Sequence, residues 1–250
     1  MNDEAPENYR LDILLVEKKL APTRSKARDL IRAGHVSVEG VITTKAGKTF
    51  SSSAAIKLAS SAPDYISRGG IKLQHALEHF KLEVHGKVFL DLGASTGGFT
   101  EVLLRNGVAH VYAVDIGHSQ LHESLQKHSK VTSMEGVDAR SLKTSDFAHS
   151  IDGVVADLSF ISLTKALAAP MKLIEKGGVL IALIKPQFEL EKKSVGKGGI
   201  VRNPEDRKRA LESAIKWLSS DQKWRIEGTC HSPIEGQHGN TEYLIAARRR

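Results

Sequence analysis

The run Val88-Phe89-Leu90-Asp91-Leu92-Gly93-Ala94-Ser95-Thr96-Gly97-Gly98-Phe99-Thr100 decides the fold. Its first five residues suit a short buried strand. Glycines then allow a tight turn, and residues 99–105 read as a helix. A strand that passes through glycines into a helix is the opening unit of an α/β fold. The same alternation continues outward. Residues 111–115, 131–135, 154–157 and 179–184 read as strands, and 120–127 and 163–175 read as helices. That order predicts a parallel sheet covered on both faces. Ligands of such sheets sit beyond the carboxyl ends of the strands. Those ends carry Asp91, Asp115, Glu135, Asp157 and Lys185, each of them ionisable.

The glycine loop discriminates among ligands. A dinucleotide fingerprint needs a second glycine where Ser95 stands. An NTPase loop needs a lysine where Phe99 stands, and without it a triphosphate loses its main cation. An acid followed by Gly-x-Ser-x-Gly suits S-adenosylmethionine, which carries no phosphate and needs only close backbone approach. Asp115 ends the second strand, 22 residues after Gly93, where an acid can accept both ribose hydroxyls of an adenosine. Asp138 follows the third strand and is placed for the adenine amino group. Asp157 and Lys185 end consecutive strands. If those strands are neighbours, both side chains open onto one edge, where a lysine is explained by a cleft with an acidic partner.

A separate module precedes this domain. Residues 9–20 carry apolar residues at helical spacing, and Pro22-Thr23 breaks the chain. Thr23 suits an N-cap for a helix over 24–33, and Gly34 suits its stop. Arg24, Arg28 and Arg32 recur every four residues on one face. Residues 35–41 alternate like a strand that turns at Gly40. Residues 10–58 hold ten basic and four acidic side chains, a balance of +6 within a chain of net charge +7. That points to a polyanionic partner. Small polar residues, Ser60-Ser61-Ala62-Pro63 among them, mark a boundary near 58–66.

The remaining features exclude other classes. The longest strongly apolar run is residues 179–184, far short of the roughly 20 residues that span a membrane. The acidic start Met1-Asn2-Asp3-Glu4 lacks the pattern of a secretion signal. Cys230 is the only cysteine, so no disulfide forms within the chain and no cysteine-built zinc site is expected. These facts point to a reducing cytoplasm. Of the eleven histidines, His75 and His79 are four apart on an expected helix, but no acid follows at ligand spacing, so a surface or packing role is expected.

Two resemblances extend this reading. Arg10-Leu11-Asp12, Ser25-Lys26-Ala27, Ile31-Arg32-Ala33-Gly34-His35-Val36 and Val38-Glu39-Gly40 resemble the RNA-binding fold of small-subunit ribosomal protein S-four. Glu39 stands where that family usually has Asn. Ser67-Arg68-Gly69-Gly70-Ile71-Lys72-Leu73, together with residues 91–100, 113–117, 157–163, 185–189 and 236–242, resembles the FtsJ-type ribose 2′-O-methyltransferases. The whole chain is similar to the TlyA family, often labelled haemolysin, which joins the two. The resemblance implies a small α+β RNA-binding domain over 9–60 and a Rossmann-like class I methyltransferase domain over 65–250. It implies S-adenosylmethionine held by Asp91, Gly93, Ser95, Gly97, Gly98, Phe99, Asp115, Asp138 and Asp157. Many members carry Asn at the position of Asp138. The family's catalytic tetrad falls on Lys72, Asp157, Lys185 and Glu242. RNA contacts are expected from Arg24, Lys26, Arg28, Arg32 and Arg68, with ribosomal RNA or ribosomal subunits as the partner and a 2′-O-methylated cytidine as the product. No metal is required, because the sulfonium already activates the methyl group. A ribosome-assembly factor without catalysis is the alternative. A membrane-damaging role lacks a spanning segment or a long basic amphipathic helix.

Overall fold

The computed structural model describes residues 8–32, 34–59, 65–236 and 239–250. The expected linker residues 60–63, the acidic start, Ala33, and Gln237 and His238 of the 236–242 string lie outside the described residues. The chain divides into two compact units, Met1–Asp64 and Tyr65–Arg250.

In the first unit, β1 (Asn8–Arg10) leads into α1 (Leu11–Glu17) and α2 (Arg24–Arg32). The strands β2 (Val36–Val38), β3 (Val41–Ile42), β4 (Thr49–Ser51) and β5 (Ile56–Leu58) follow. The single helix expected over 9–20 is therefore shorter. Its start is drawn into a strand because β1 pairs antiparallel with β4, and Leu11 N–H continues that ladder to Lys48 O. The Thr23 hydroxyl accepts a hydrogen bond from Lys26 N–H and caps α2 as its sequence requires. Gly34 ends that helix at φ 76°. The β2–β3 hairpin turns through Glu39 and Gly40, both at positive φ (50° and 79°), the geometry of a two-residue primed turn. Glu39 takes a conformation that Asn or Gly adopts more cheaply, and its carboxylate accepts a hydrogen bond from Ala55 N–H at 2.7 Å. Leu11, Leu15, Ala27, Ile31 and Val36 form the core. Each large side chain buried there contributes roughly 1.5–3 kcal/mol, enough to hold a unit this small only because α1, α2, β2, β4 and β5 share one cluster.

The second unit opens with α3 (Gly69–His79) and β6 (Val88–Leu92). There follow α4 (Gly98–Arg105), β7 (His110–Asp115), α5 (Glu123–Gln126), β8 (Val131–Glu135), β9 (Ile151–Ala156) and α6 (Leu163–Leu167). Then come β10 (Ile174–Ile184), α7 (Pro186–Glu189), α8 (Pro204–Lys216), β11 (Arg225–His231) and β12 (Tyr243–Arg248). One seven-stranded sheet runs in the order β11-β12-β10-β9-β6-β7-β8. The five successive strands β10-β9-β6-β7-β8, which end at the β8 edge, are parallel. β12 runs antiparallel to both β10 and β11, so the sheet is mixed rather than wholly parallel. The helix expected over 163–175 stops at Leu167. Pro170 opens a 3₁₀ turn that ends at Leu173, and β10 already begins at Ile174. The helix expected over 120–127 shrinks to four residues behind a His122 cap.

Alternation along the central strands fills both faces. Leu90, Leu92, Leu180, Ala182 and Ile184 lie in one core cluster. Phe89, Val179, Ile181 and Leu183 lie in the other. Both layers are needed because central parallel strands are buried on both sides. Among the described residues, no helix is long and apolar enough to cross a membrane.

Candidate active site

The carboxyl edge of the sheet is shaped by backbone constraints. Gly93 leaves β6 at φ 78°, and a Cβ there would stand 2.7 Å from Asp157 O. Only glycine lets the β6 and β9 ends approach so closely. Gly97 caps α4 at φ 100°. Lys185 precedes Pro186, which biases it to extended backbone and then serves as the first residue of α7. β10 therefore delivers Lys185 beside Asp157 at the end of β9, its parallel neighbour.

A cavity of about 560 Å³ lies over this edge. Gly93, Ser95, Asp115, Asp138 and Asp157 line it, together with Ile116, Arg140 and Phe160. The Asp115 carboxylate accepts hydrogen bonds from Ser95 N–H (2.8 Å) and Gly117 N–H (2.7 Å), which fix its orientation. Asp138 lines the cavity in a different state from the expected open acceptor. Arg140 Nε and Nη2 and Arg140 N–H all donate to it, and this pairing holds its carboxyl at about 2. An adenine amino group would have to share those oxygens with Arg140.

Four further expected cofactor residues, Asp91, Gly97, Gly98 and Phe99, lie away from the cavity wall. Asp91 is fully buried, and its Oδ2 accepts from the Thr100 hydroxyl at 2.6 Å while Oδ1 has no partner. Burial, opposed by that hydrogen bond, pushes its carboxyl up to about 7. The Phe99 ring packs in the second core cluster. Gly98 lies against the Ser67–Gly70 turn, where a Cβ on it would stand only 3.0 Å from Gly70 N. These residues shape the loop from beneath.

The four tetrad residues come together as two ion pairs. Lys72 Nζ lies 2.5 Å from Glu242 Oε2, and each residue is only 3% exposed. Lys185 Nζ lies 2.5 Å from Asp157 Oδ1 and donates to the Ser159 hydroxyl at 3.0 Å. Burial pushes the Asp157 carboxyl up, but Lys72, Lys185 and Arg68 together hold it below its ordinary value. Lys72 thus acts on Asp157 as well as on Glu242, which links the two pairs. Gly236 backs the Glu242 carboxylate, where a Cβ would stand 2.5 Å from its Cδ. Asn240 anchors the approach to β12 by accepting from Val201 N–H and donating to Gly199 O.

Sequence reasoning passed over two side chains here. Phe160 is 88% exposed and at φ 66°, a costly backbone for an aromatic residue. Its ring sits 5.2 Å from that of Phe188. Ser159 steadies Lys185. Both lie in the Asp157–Leu163 string, where the only available signal was an apolar ring directly after a strand-end acid.

The first unit modifies the expected RNA face. Asp12 is wholly buried and meets Arg10 (2.9 Å), Arg24 (3.1 Å) and Arg28 (3.2 Å). Burial raises the Asp12 carboxyl, yet the Arg10 and Arg24 hydrogen bonds leave it below its ordinary value. Arg24 and Arg28 stay about half exposed on their pinned stems, and Arg32 is exposed. Lys26, expected among the RNA contacts, is only 8% exposed, on the side of α2 opposite Arg24, Arg28 and Arg32. Arg68 lies in the second unit, at the N-terminal end of α3, within electrostatic reach of Asp157.

Residues 65–249 match the FtsJ-like methyltransferases, and residues 10–56 match the S4 domain. The chain belongs to the TlyA family of FtsJ-like methyltransferases. It is 41% identical over 240 residues to the 16S/23S rRNA (cytidine-2′-O)-methyltransferase TlyA of Mycobacterium tuberculosis, covering 96% of this chain and 89% of that one. It is 39% identical to Hemolysin A of Brachyspira hyodysenteriae, covering 94% and 98% respectively. A solved structure from Streptococcus thermophilus that carries the haemolysin name superposes with TM-score 0.75 at 38% identity, covering 98% of this chain and 90% of that one. The family accounts for both the mixed Rossmann-like sheet and the separate N-terminal unit.

Proposed function

We propose that this FtsJ-like methyltransferase transfers the methyl group of S-adenosylmethionine to a ribose 2′-hydroxyl, that of a cytidine in ribosomal RNA, in the cytoplasm where ribosomes are found. The observation that carries the reading is the Lys185–Asp157 pair at the rim of the 560 Å³ cavity, coupled through Lys72 to Glu242. The cavity has the size of a small-molecule site. Its donors fit the cofactor. Asp115 keeps free lone pairs for ribose hydroxyls, and Gly93 and Ser95 line the cavity beside it. The bound cofactor would supply an electrophilic methyl on a sulfonium.

The protein's part is to prepare the nucleophile. The 2′-oxygen must lose its proton while attacking in line. Lys185 is held at that point by Asp157 and Ser159. As a neutral amine it receives the proton, and as an ammonium it stabilises the developing alkoxide by charge. Asp157, ionised through Lys72 and Lys185, orients the ammonium. Glu242 neutralises Lys72 and keeps it in place. Phe160, exposed beside the cavity and braced by Phe188, offers a platform for a base. Arg24, Arg28 and Arg32 contribute phosphate contacts.

Incubating the purified chain with labelled S-adenosylmethionine and ribosomal subunits tests the reading. The expected result is label on a cytidine ribose. RNA binding without label would replace the enzyme with an assembly factor.

A further inference from the structure

We infer that His75, His79 and Cys230 form a binding site for one divalent ion of the zinc class. None of the three lines the cavity, and they lie on two elements, α3 and the edge strand β11. One donor atom from each lies within 4.8 Å of the other two. It is the one such group of His, Cys, Asp and Glu among the described residues.

Local structure brings the three together. His75 and His79 are one helical turn apart, and their rings lie side by side, 5.6 Å between centres and 29° from parallel. Gly228 and Cys230 are two residues apart on β11 and so share a face. Gly228 faces α3's end, since a Cβ there would stand 2.9 Å from the Phe80 ring. Cys230 therefore points toward α3, and it packs at the edge of the core that Leu73, Ala76 and Leu77 of α3 help to build.

The chemistry selects the ion. Two imidazole nitrogens and one sulfur suit zinc and disfavour magnesium or calcium, which prefer oxygen. Zinc takes nitrogen at about 2.0–2.1 Å and thiolate at about 2.3 Å, so tetrahedral donors stand roughly 3.3–3.6 Å apart. Donors already within 4.8 Å need an adjustment of about an ångström, within reach of side-chain rotation. His79 is exposed, which gives the ion an entry path and leaves the fourth position to water. Burial pushes the Cys230 thiol up, so the ion-free thiol is protonated. Binding forms one metal–sulfur bond and releases that proton to solvent, while the histidines bind as neutral rings.

The placement gives the ion a structural task. Lys72 lies on α3 one turn before His75, and β11 pairs with β12, which starts directly after Glu242. An ion across α3 and β11 ties together the two elements that carry the Lys72–Glu242 pair.

The test uses the full chain, stripped of metal and titrated first with cobalt(II) alone and then with zinc(II) alone. One equivalent of cobalt should produce a thiolate-to-cobalt absorption band, and zinc should displace it and raise the melting temperature. His79→Gln, at an exposed position that tolerates the change, should weaken binding by at least about tenfold, since loss of a mere outer-sphere partner already costs 10–100-fold. It should also abolish the zinc-induced rise in melting temperature. Cys230→Ser should erase the band. No band in the wild type, or equal binding by His79→Gln, would overturn the site and assign the metal to scattered surface histidines.

Discussion

Lys72→Met should destabilise the second unit sharply. The substitution keeps the length of the side chain but removes its charge. Glu242 then stays 3% exposed beside a buried glycine turn, without its 2.5 Å partner. Breaking a buried ion pair from one side costs about 3–5 kcal/mol. That is a large share of a typical stability of about 5–15 kcal/mol. At about 2–4 °C per kcal/mol for domains of roughly 150–250 residues, melting should fall by about 6–20 °C. Both tryptophans, Trp217 and Trp224, lie in Tyr65–Arg250, so their fluorescence follows this unit selectively. The double variant Lys72→Met/Glu242→Leu should recover most of the loss, because apolar side chains of similar volume satisfy the same space. A Lys72→Met protein that melts within about 2 °C of the wild type would show that Glu242 is hydrated and that the pair is not a buried one.

Four further outcomes are expected. Lys185→Met should slow single-turnover methylation by about 10²–10⁴-fold, and Lys185→Arg separates the roles, since Arg keeps the charge but cannot take the proton; wild-type rates in both would remove Lys185 from the chemistry. Asp115→Ala should weaken S-adenosylmethionine binding by about 1–3 kcal/mol in calorimetry, and unchanged affinity would place the ribose elsewhere. Replacing Arg24, Arg28 and Arg32 with Ala should weaken RNA binding and reduce its salt slope by up to about 2–3, leaving cofactor affinity intact; an unaltered slope would mean that this face is merely solvated. Asp91 and Glu189 both hold their protons to about pH 7 in the folded chain, through burial, while an unfolded carboxyl loses its proton near about 4. Their stabilisation is therefore full below about pH 4 and is lost as pH rises to about 7, so Asp91→Asn/Glu189→Gln should flatten that fall in urea midpoints, and a retained slope would refute it.

Much of the sheet was legible because central strands must be apolar on both faces, and runs such as Val88–Leu92 have few other readings. The β11–β12 hairpin was harder. Arg225-Ile226-Glu227-Gly228-Thr229-Cys230-His231 is an edge strand with a bulge after Ile226, and its mixed pattern has no clean period. Pro170 could have ended the helix expected over 163–175 sooner, but the Ala-rich run before it and the apolar Met171, Leu173 and Ile174 after it masked it. Residue types at strand ends revealed Asp115, Asp157 and Lys185. Spacing along the chain could not reveal that Asp12 is buried beneath Arg10, Arg24 and Arg28, or that Lys26 turns inward on the same helix. Nor could it bring Cys230 to His75 and His79. Only the pairing of β11 into the sheet does that.

The tetrad is built as two neutral pairs, and that arrangement bears on how its chemistry can be dissected. Each lysine is compensated by one carboxylate, so the buried charges cancel before any ligand arrives. In the proposed reaction, loss of the 2′-hydroxyl proton would add negative charge beside Lys185, in a setting with little water to screen it. The same balance means that a charge deletion in the Lys72–Glu242 pair leaves a buried partner without its counter-charge. A loss of activity in Glu242→Ala would thus mix misfolding with chemistry. The two effects part in a comparison of Glu242→Gln with Lys72→Met/Glu242→Leu. If Glu242 acts only by neutralising Lys72, the stable double variant should keep cofactor affinity yet lose the rate that Lys72 provides through its charge on Asp157. If the double variant methylates as fast as the wild type, the Lys72–Glu242 pair is a scaffold, and the reaction depends on Lys185 and Asp157 alone.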